Sequence, residues 1–462
     1  MDSSVKDRLL QAVGKNSVDY LDVRYEISDL TRIHYQRDEL EGMSSNRSTG
    51  GIVRACHKGG WGQMTFDSLS DLTRAVEEAC QCSRMVGHKR TKLAKVDEIV
   101  DAEIAATMKR DPRGVPLAEK AKLLADYNAI IIGADHIESS DVSYMDQFRT
   151  VYFASSRGAY FREDRPTCAM SLVATARDGS LVQRASEGKR SKDDFDALKG
   201  QEHLAARAAK RAGDLLKAPV CPGGKFSVVL DPEMAGVFIH EAFGHLSEAD
   251  HLEYNKKLRR LMHVGRKVGP EILNVVDDGA WAGKAGTHAF DDEGTPTRRN
   301  YLIKKGKLVG HLHTLGTAGK MKAKPTGNAR AGGVKNAPIV RMTNTYIEAG
   351  SAKTKEMFGG IDKGIYACGM WGGNTQMEMF TFSAAHGYLI ENGEVGPLVR
   401  DVMLAGNVFQ TLHAIDAIGD DLTICERGGQ CGKGGQGVLV TLGSPHIRIR
   451  DVVVGGRQQR RR

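Results

Sequence analysis

The chain is divided by a short segment that interrupts both helical and strand periodicity. Residues 217–225 read Lys-Ala-Pro-Val-Cys-Pro-Gly-Gly-Lys and separate a helical pattern from the next apolar run. Proline lacks a backbone N–H donor, and glycine loses more conformational freedom than other residues when it enters a helix or strand, so both tend to end regular elements. We therefore predict a first domain over residues 1–216, a linker over 217–225 and a second domain over 226–456, followed by a basic tail over 457–462. A length of 462 residues suits two to three domains.

The first domain is predicted to mix helices and strands. Apolar residues alternate over residues 20–65, which indicates strands. Apolar stripes at helical spacing predict helices over residues 67–86, 117–132 and 196–216. Short alternating runs with glycine turns over 137–186 predict a hairpin or meander.

The second domain is predicted to be mostly antiparallel β. After residue 270, short strand-like runs are separated by glycine turns, and the 53 glycines outnumber the 12 prolines. Asp231 and Pro232 form a helix start, with Asp as the N-cap and Pro in the first helical position. We predict an α+β protein in which an N-terminal α/β-type mixed domain precedes a mostly β domain that carries this helix.

Composition excludes several classes of protein. Hydrophobic residues make up 41% of the chain, and no apolar run approaches the ~20 residues of a membrane span. The residues after Met1 lack the pattern of a secretory signal, and the eight cysteines lie too far apart for a disulfide scaffold. We expect a cytoplasmic protein. Half of the net charge of +8 comes from four arginines of the tail, so we do not expect a nucleic-acid partner.

The predicted helix carries two histidines and a glutamate that suggest a metal site. It continues into His240-Glu-Ala-Phe-Gly-His245, one residue longer than the zinc-binding pattern H-E-x-x-H. In a regular α-helix an offset of five separates the two imidazoles by about 140°. The helix must therefore break or widen, either through a left-handed Gly244 or through a π-type bulge. Alternatively, the two histidines are core or capping residues.

A catalytic zinc site usually has three protein ligands, so a third ligand is needed. Cys431 lies between glycines that leave its thiol uncrowded, and Lys433 would favour the thiolate. The candidates for the third ligand are Cys431, Glu248, Asp250, His251, His288 and the pair His311 and His313.

Several ordered motifs give the chain a resemblance to a known family. They are His240–His245, Asp291–Gly294, Pro325–Arg330, Arg341–Asn344 and Cys431–Gln436, with Gly51–Arg54 and Gly60–Gly62 near the N-terminus. Together they closely resemble the TldD subunits of the TldD/TldE (PmbA) metallopeptidase family over nearly the whole chain. One departure is the run Gly372–Phe380, whose Met377 and Met379 stand where the family often has small residues and an Asp.

The resemblance implies a function. It implies that His240, His245 and Cys431 hold Zn²⁺, that Glu241 serves catalysis, and that unfolded or extended peptides are hydrolysed with low sequence specificity. It also implies a heterodimer with a TldE/PmbA-like sister subunit, in which this chain is the catalytic half. Because a peptidase with weak sequence preference would be hazardous with an open site, we expect the zinc to face an enclosed cavity formed with a second subunit.

Two other functions stay open at this point. One is a non-catalytic regulatory or binding subunit, and the other is a metal-independent hydrolase that uses Cys431 as a nucleophile with a histidine. A further group of residues lies in polar turns and is predicted either to cap those turns or to orient ligands and peptide: Asp291, Asp292, Glu293, Asn328 and Arg330.

Overall fold

The computed structural model describes residues 2–14, 17–88, 92–96, 99–192 and 194–455. The basic tail predicted over 457–462 lies outside the described residues. Within them, no helix is long and apolar enough to cross a membrane.

The α-helices are mostly short. Their bounds are α1 Asp2–Gly14, α2 Leu72–Val86, α3 Leu117–Ile132, α4 Glu202–Lys217, α5 Pro232–Ile239, α6 Ala249–Tyr254, α7 Lys256–Leu261, α8 Leu315–Met321, α9 Thr354–Phe358 and α10 Val408–His413. Helices α2, α3, α4 and α5 lie at the predicted positions, whereas α1 and α6 to α10 were not predicted. The helices predicted over 67–86 and 196–216 each begin with a separate 3₁₀ turn, Leu69–Asp71 and Asp196–Leu198.

One large sheet, called the first sheet, occupies the N-terminal part of the chain. Its strands are β1 Tyr20–Gln36, β2 Glu39–His57, β3 Gly60–Phe66, β4 Asp101–Ile104, β5 Ile137–Ser155, β6 Tyr160–Asp178 and β7 Leu181–Ser191. Their order is β3-β2-β1-β5-β6-β4, and β7 pairs with β6. Helix α1 packs against β5 and β1, and α2 packs against β2 and β3. Helix α3 packs against β5, and α4 packs against β6 and β7.

The hairpin or meander predicted over 137–186 is confirmed, but its strands are longer than the short runs seen in the sequence. β5 and β6 are each 19 residues long. Charged residues such as Glu163 and Arg165 alternate along them and are nonetheless buried, because they pair with each other and with residues of the C-terminal part. A strand whose buried positions carry charges does not show the alternating hydrophobicity by which strands are recognised.

Two further sheets form the C-terminal part. The second sheet has the order β11-β10-β9-β14-β22-β20, with β21 paired to β22. The third has the order β15-β8-β23-β18-β16-β17, with β19 paired to β23, and β15 and β16 also pair with each other as a hairpin. Their strands are β8 Gly224–Leu230, β9 Val275–Asp278, β10 Arg299–Lys304, β11 Lys307–Leu308, β14 Asn344–Ile347, β15 Lys363–Gln376, β16 Met379–Glu391, β17 Glu394–Val399, β18 Met403–Asn407, β19 Ile415–Ile418, β20 Thr423–Ile424, β21 Gly429–Lys433, β22 Gln436–Ser444 and β23 Ile447–Gly455. A separate pair joins β12 Ala329–Arg330 to β13 Ile339–Val340.

The predicted α+β class is confirmed, and the C-terminal part is mostly antiparallel. Two parallel pairs occur there, β14 with β22 and β8 with β15. Helix α5 contacts β15 of the third sheet and β22 of the second, so it lies between the two sheets. Its buried Phe238 makes edge-to-face contacts with Phe380 and Phe382 of β16. This packing fixes the end of α5, where the predicted site begins.

Candidate metal centre

The start of α5 is fixed by its N-cap, as the sequence predicts. Asp231 Oδ1 accepts a hydrogen bond of 2.7 Å from the Met234 backbone N–H, and Pro232 occupies the first helical position. Asp231 Oδ2 also accepts a 3.0 Å bond from the Gly369 N–H in β15. Because burial outweighs these bonds, the pKa of Asp231 is raised to about 7. The cap therefore ties the helix to the third sheet as well as beginning it.

The helix widens at the two histidines. Residues His240–Gly244 form a π-helix, in which the His245 backbone N–H bonds to the His240 carbonyl. Hydrogen bonding from i to i+5 is the definition of a π-turn, and it places residues five apart on the same face. The two imidazole rings consequently lie 5.2 Å apart between centroids. Of the two predicted alternatives, the bulge is observed.

Gly244 is required for space rather than for an unusual backbone conformation. Its φ of −56° and ψ of −50° are those of an ordinary right-handed helix, so the left-handed alternative is wrong. A Cβ atom at this position would lie 2.1 Å from the Sδ of Met342, which is fully buried. The spacing of residues around Gly244 in the sequence does not show that Met342, which is distant in the chain, occupies the space beside it.

Cys431 reaches the histidines from a tight hairpin. β21 and β22 are joined by Gly434 and Gly435, both with positive φ, as a two-residue hairpin turn requires. The Cys431 Sγ lies 3.3 Å from His245 Nε2, and the thiol is buried. One ligating atom from each of His240, His245 and Cys431 can be chosen so that all three lie within 4.8 Å of one another.

The three groups perturb one another electrostatically. Burial raises the pKa of Cys431, but hydrogen bonds and charge from both imidazoles prevail and lower it to about 5. Burial likewise opposes protonation of His245, yet its hydrogen bonds to Cys431 and Glu248 raise the pKa to about 10. The cysteine is therefore poised as a thiolate, the form in which cysteine binds a metal.

Glu248 orients His245 by contacting the ring nitrogen that does not face the Cys431 thiol. This fully buried carboxylate lies 2.9 Å from His245 Nδ1 and 3.1 Å from Lys433 Nζ. Lys433 also donates to Asp250 at 2.7 Å. Although burial alone would raise it, the pKa of Glu248 is lowered strongly by its bonds to His245 and His251 and by the charge of Lys433. With Nδ1 bound in this way, His245 presents Nε2 to the thiol.

The residues fit a zinc ion. Two imidazoles and a thiolate are donors that zinc prefers, and three protein ligands are typical of catalytic sites. His240 is buried, and its Nδ1 has no hydrogen-bond partner within the described ranges. Glu241 Oε2 lies 3.8 Å from His245 Nε2, so this carboxylate borders the same space as the ligand atoms. Its side chain is 31% exposed and can therefore reach solvent.

The other candidates for the third ligand lie elsewhere. Asp250 pairs with Lys433, and His251 lies 3.6 Å from Glu248 rather than beside the thiol. The buried His311 and His313 are engaged by the Met262 carbonyl and the Thr317 hydroxyl. His288 lines a separate cavity among arginines.

The polar run Asp291–Glu293 caps turns and joins the first sheet to the C-terminal part. Asp291 accepts backbone bonds from Glu293, Thr295 and Ala329, whereas Asp292 pairs with Arg165 at 2.8 Å. Glu293 pairs with Arg54 at 2.9 Å. These roles were not predicted in full, because nothing in the local sequence shows the distant arginines.

Asn328 and Arg330 also have bonding partners within the C-terminal part. Asn328 donates to Asp277 at 2.7 Å, and Arg330 donates to the carbonyls of Met342 and Leu439. The role of Glu248 was likewise missed, although its position three residues after His245 on a helical segment would have been a usable signal.

The sequence is similar to those of several known proteins. Residues 21–83, 110–216 and 223–456 match, in order, domain 1, the central domain and the C-terminal domain of the PmbA/TldA metallopeptidase family. A Synechocystis protein named Metalloprotease slr0863 is 42% identical, covering 98% of this chain and 99% of its own length. A Saccharolobus solfataricus protein named Zinc metalloprotease TldD homolog is 28% identical, covering 95% of this chain and 96% of its own.

A solved structure shares the fold. TldE from Thermococcus kodakarensis superposes with a TM-score of 0.75 at 18% identity, covering 99% of this chain and 100% of its own. At that identity the likeness concerns the fold alone. The matched family domains and the 42% identical relative carry the assignment: this chain belongs to the PmbA/TldA (TldD) metallopeptidase family.

Proposed function

We propose that this protein is a zinc-dependent peptidase and the catalytic half of a complex with a TldE/PmbA-like sister subunit. In this proposal His240, His245 and Cys431 bind Zn²⁺, and Glu241 is the general base. The observation that carries the proposal is the convergence of three ligating atoms within 4.8 Å of one another, from two parts of the chain distant in sequence. The Saccharolobus relative is named a zinc metalloprotease, which supports zinc as the metal.

Glu241 is positioned for proton transfer. Zinc, when bound, supplies Lewis acidity and lowers the pKa of a coordinated water. The Glu241 carboxylate borders the ligand atoms without joining them, so it is free to accept a proton from an attacking water and return it to the leaving amine. Glu248 keeps His245 in the tautomer and orientation that present Nε2.

The substrate proposed is an extended peptide with little side-chain selection. β21, which carries Cys431, pairs with β22 and with no other described strand, so its other edge has no strand partner, although the Arg341 guanidinium donates to the Cys431 carbonyl. A peptide that adds to such an edge is held by main-chain hydrogen bonds, which are the same for most sequences. Folded proteins do not offer an extended segment of this kind, so selection would be by conformation.

The proposed partner would cover an exposed apolar surface. Trp371, Met377 and Met379 are 43%, 43% and 55% exposed near the tip of the β15–β16 hairpin. Large exposed apolar residues that cluster on a surface mark sites of protein association. We propose that the sister subunit covers this tip and encloses the metal centre, with an interface of more than about 2,000 Å².

The test combines metal content with activity. The wild-type chain, Cys431→Ala, Glu241→Gln and the control Cys82→Ala, which alters an exposed cysteine, would each be purified alone and with the sister subunit. Zinc would be measured by mass spectrometry and hydrolysis with an unfolded fluorogenic substrate. We expect Cys431→Ala to lose zinc and activity, Glu241→Gln to lose activity alone, and Cys82→Ala to retain both.

The alternatives predict different results. A binding subunit would show no hydrolysis in any combination, whatever its metal content. A hydrolase that uses Cys431 as a nucleophile would resist chelators and would be inactivated by thiol alkylation in metal-free buffer. Either result would contradict the proposed function.

A further inference from the structure

A cavity that Cys431 does not line lies between the first and second sheets. Its volume is about 490 Å³, within the range of small-molecule sites. It is bounded by strands β5, β6 and β7 on one side and by segments around β12, β21 and β22 on the other. Its lining carries two carboxylates, Glu187 and Asp292, and seven cationic side chains: Arg32, Arg149, Arg165, Arg190, Lys192, Arg330 and Arg427.

Carboxylates neutralise only part of this positive charge. Three of the arginines form ion pairs: Arg149 with Glu26, Arg165 with Glu163 and Asp292, and Arg427 with Glu233. Most of the paired acids lie behind the cavity wall rather than in it. The other lining carboxylate, Glu187, pairs with Arg207 and Arg211, which lie outside the cavity.

Arg190 and Arg330 differ from these three, because neither forms an ion pair with a described residue. Arg330 is 5% exposed and donates only to the carbonyls of Met342 and Leu439, at 2.6 and 2.7 Å. Arg190 donates from Nε to the Arg427 carbonyl at 3.2 Å, while its buried Nη1 has no partner in the described part of the chain. Burial lowers the pKa of both side chains, that of Arg330 to about 10.

The positive charge of the cavity also acts on His288. This histidine lines the cavity, and its buried Nδ1 has no hydrogen-bond partner among the described residues. Its pKa is lowered well below the ordinary value, first by burial and then by the charges of Arg165, Lys192 and Arg330. The imidazole is therefore neutral and able to donate one hydrogen bond into the cavity.

A desolvated guanidinium without a counter-charge is unfavourable, and a bound anion relieves that cost. Guanidinium groups match the planar oxygens of carboxylate and phosphate, with two parallel bonds to one group. The volume of about 490 Å³ exceeds the needs of a single inorganic anion. The cavity therefore suits a molecule with several anionic groups.

We propose that this cavity binds a small organic polyanion with at least two carboxylate or phosphate groups, held between Arg190 of β7 and Arg330 of β12. None of His240, Glu241, His245 and Cys431 lines the cavity, although Gln430 and Val438, which adjoin Cys431 in the hairpin, do. The polyanion site is thus distinct from the candidate metal centre. A bound ligand joins the first sheet to the hairpin that carries Cys431.

The test is binding to the full chain by calorimetry and by thermal unfolding, with citrate and tripolyphosphate as probes and sodium chloride at equal ionic strength as the reference. We expect one binding site for at least one probe and a rise in unfolding midpoint of about 3 °C at ~100 times its Kd. Binding of citrate alone identifies a carboxylate ligand, and binding of tripolyphosphate alone identifies a phosphate ligand. If neither probe binds more than chloride does, the proposal is wrong.

Substitutions in the cavity test whether Arg190 and Arg330 hold the probe. Arg190→Gln should weaken binding of the probe by about tenfold or more, because a charge-assisted pair is lost. Arg184→Gln removes the same charge from an exposed position of the same strand and should leave binding unchanged. Arg330→Lys, which keeps the charge but not the planar fork, supplies a second variant in case the first unfolds. Equal weakening by Arg184→Gln and Arg190→Gln would overturn the proposal.

Discussion

The carboxylate of Glu248 lies 2.9 Å from Nδ1 of His245, opposite the ring nitrogen that faces the Cys431 thiol. Lys433, two residues after that cysteine, reaches the same carboxylate at 3.1 Å. A buried acid therefore contacts both the helix and the hairpin that supply the proposed ligands. Such outer residues set the direction and basicity of the ligating groups.

Replacing this acid should weaken metal binding without removing a ligand. We expect Glu248→Gln to lower zinc affinity about 10- to 100-fold, as loss of an outer partner does elsewhere. Competition with a chromophoric chelator would measure the affinity. Glu253→Gln, which changes a carboxylate of α6 that pairs instead with Lys320, is the control. Equal zinc affinity in Glu248→Gln and wild type would show that His245 needs no such support.

We expect Gly244 to be required because Met342 leaves no space for a larger residue at this position. Gly244→Ala would place a Cβ 2.1 Å from Met342 Sδ and should reduce the free energy of unfolding by about 1–3 kcal/mol, the usual cost of overpacking. Adding Met342→Ala should recover part of that loss relative to the sum of the two single effects. Chemical denaturation of the four proteins gives the coupling. Additive losses would indicate a conformational requirement at Gly244 instead.

His386 should make the fold sensitive to acid. It is 5% exposed, and its pKa is lowered to about 4 by burial and by the charge of Arg211. The unfolded chain, with a histidine pKa of about 6.5, binds the proton first as the pH falls. The contribution of neutral His386 is complete above about pH 6.5 and is lost as the pH falls towards 4, by at most about 1.4 kcal/mol per pH unit.

Urea unfolding at pH 7, 6 and 5 would measure this dependence. His386→Gln should flatten the fall in unfolding free energy between pH 6.5 and 5, whereas the control His413→Gln, at an exposed position, should leave the slope unchanged. An unaltered slope in His386→Gln would mean that other groups account for the acid sensitivity.

The buried ion pair between Arg165 and Asp292 should be costly to break. Both side chains are buried, and they join β6 to the turn before β12 at 2.8 Å. Arg165→Leu leaves a carboxylate without its main partner and should cost about 3–5 kcal/mol in unfolding free energy. Arg177→Leu breaks an exposed pair with Glu138 and should cost less than about 1 kcal/mol. Similar losses in both variants would contradict this ranking.

Local sequence predicted those features that depend on neighbouring residues. Asp231 and Pro232 mark the helix start, and the five-residue offset of His240 and His245 predicts a broken or widened helix, of which the widened form is observed. Residues 117–132 form a helix with the predicted bounds. Each of these rests on capping, proline geometry or periodicity, which act within a few residues.

Features set by distant contacts were not predictable in the same way. The space reserved at Gly244 belongs to Met342, and the partners of Asp292 and Glu293 come from the first sheet. The buried charges of β5 and β6 concealed the length of those strands. These contacts join residues that are distant in the sequence and adjacent only in the folded protein. The local sequence around each residue therefore does not predict them.

The hairpin thiol and the helical histidine are 186 residues apart in sequence. During synthesis, α5 is made well before β21 and β22, so the growing chain carries its two imidazoles without the cysteine while those 186 residues are added. Two protein donors fall short of the three that a catalytic zinc site uses. In the proposed peptidase, the zinc site can therefore form only after the hairpin that carries Cys431 has been synthesised.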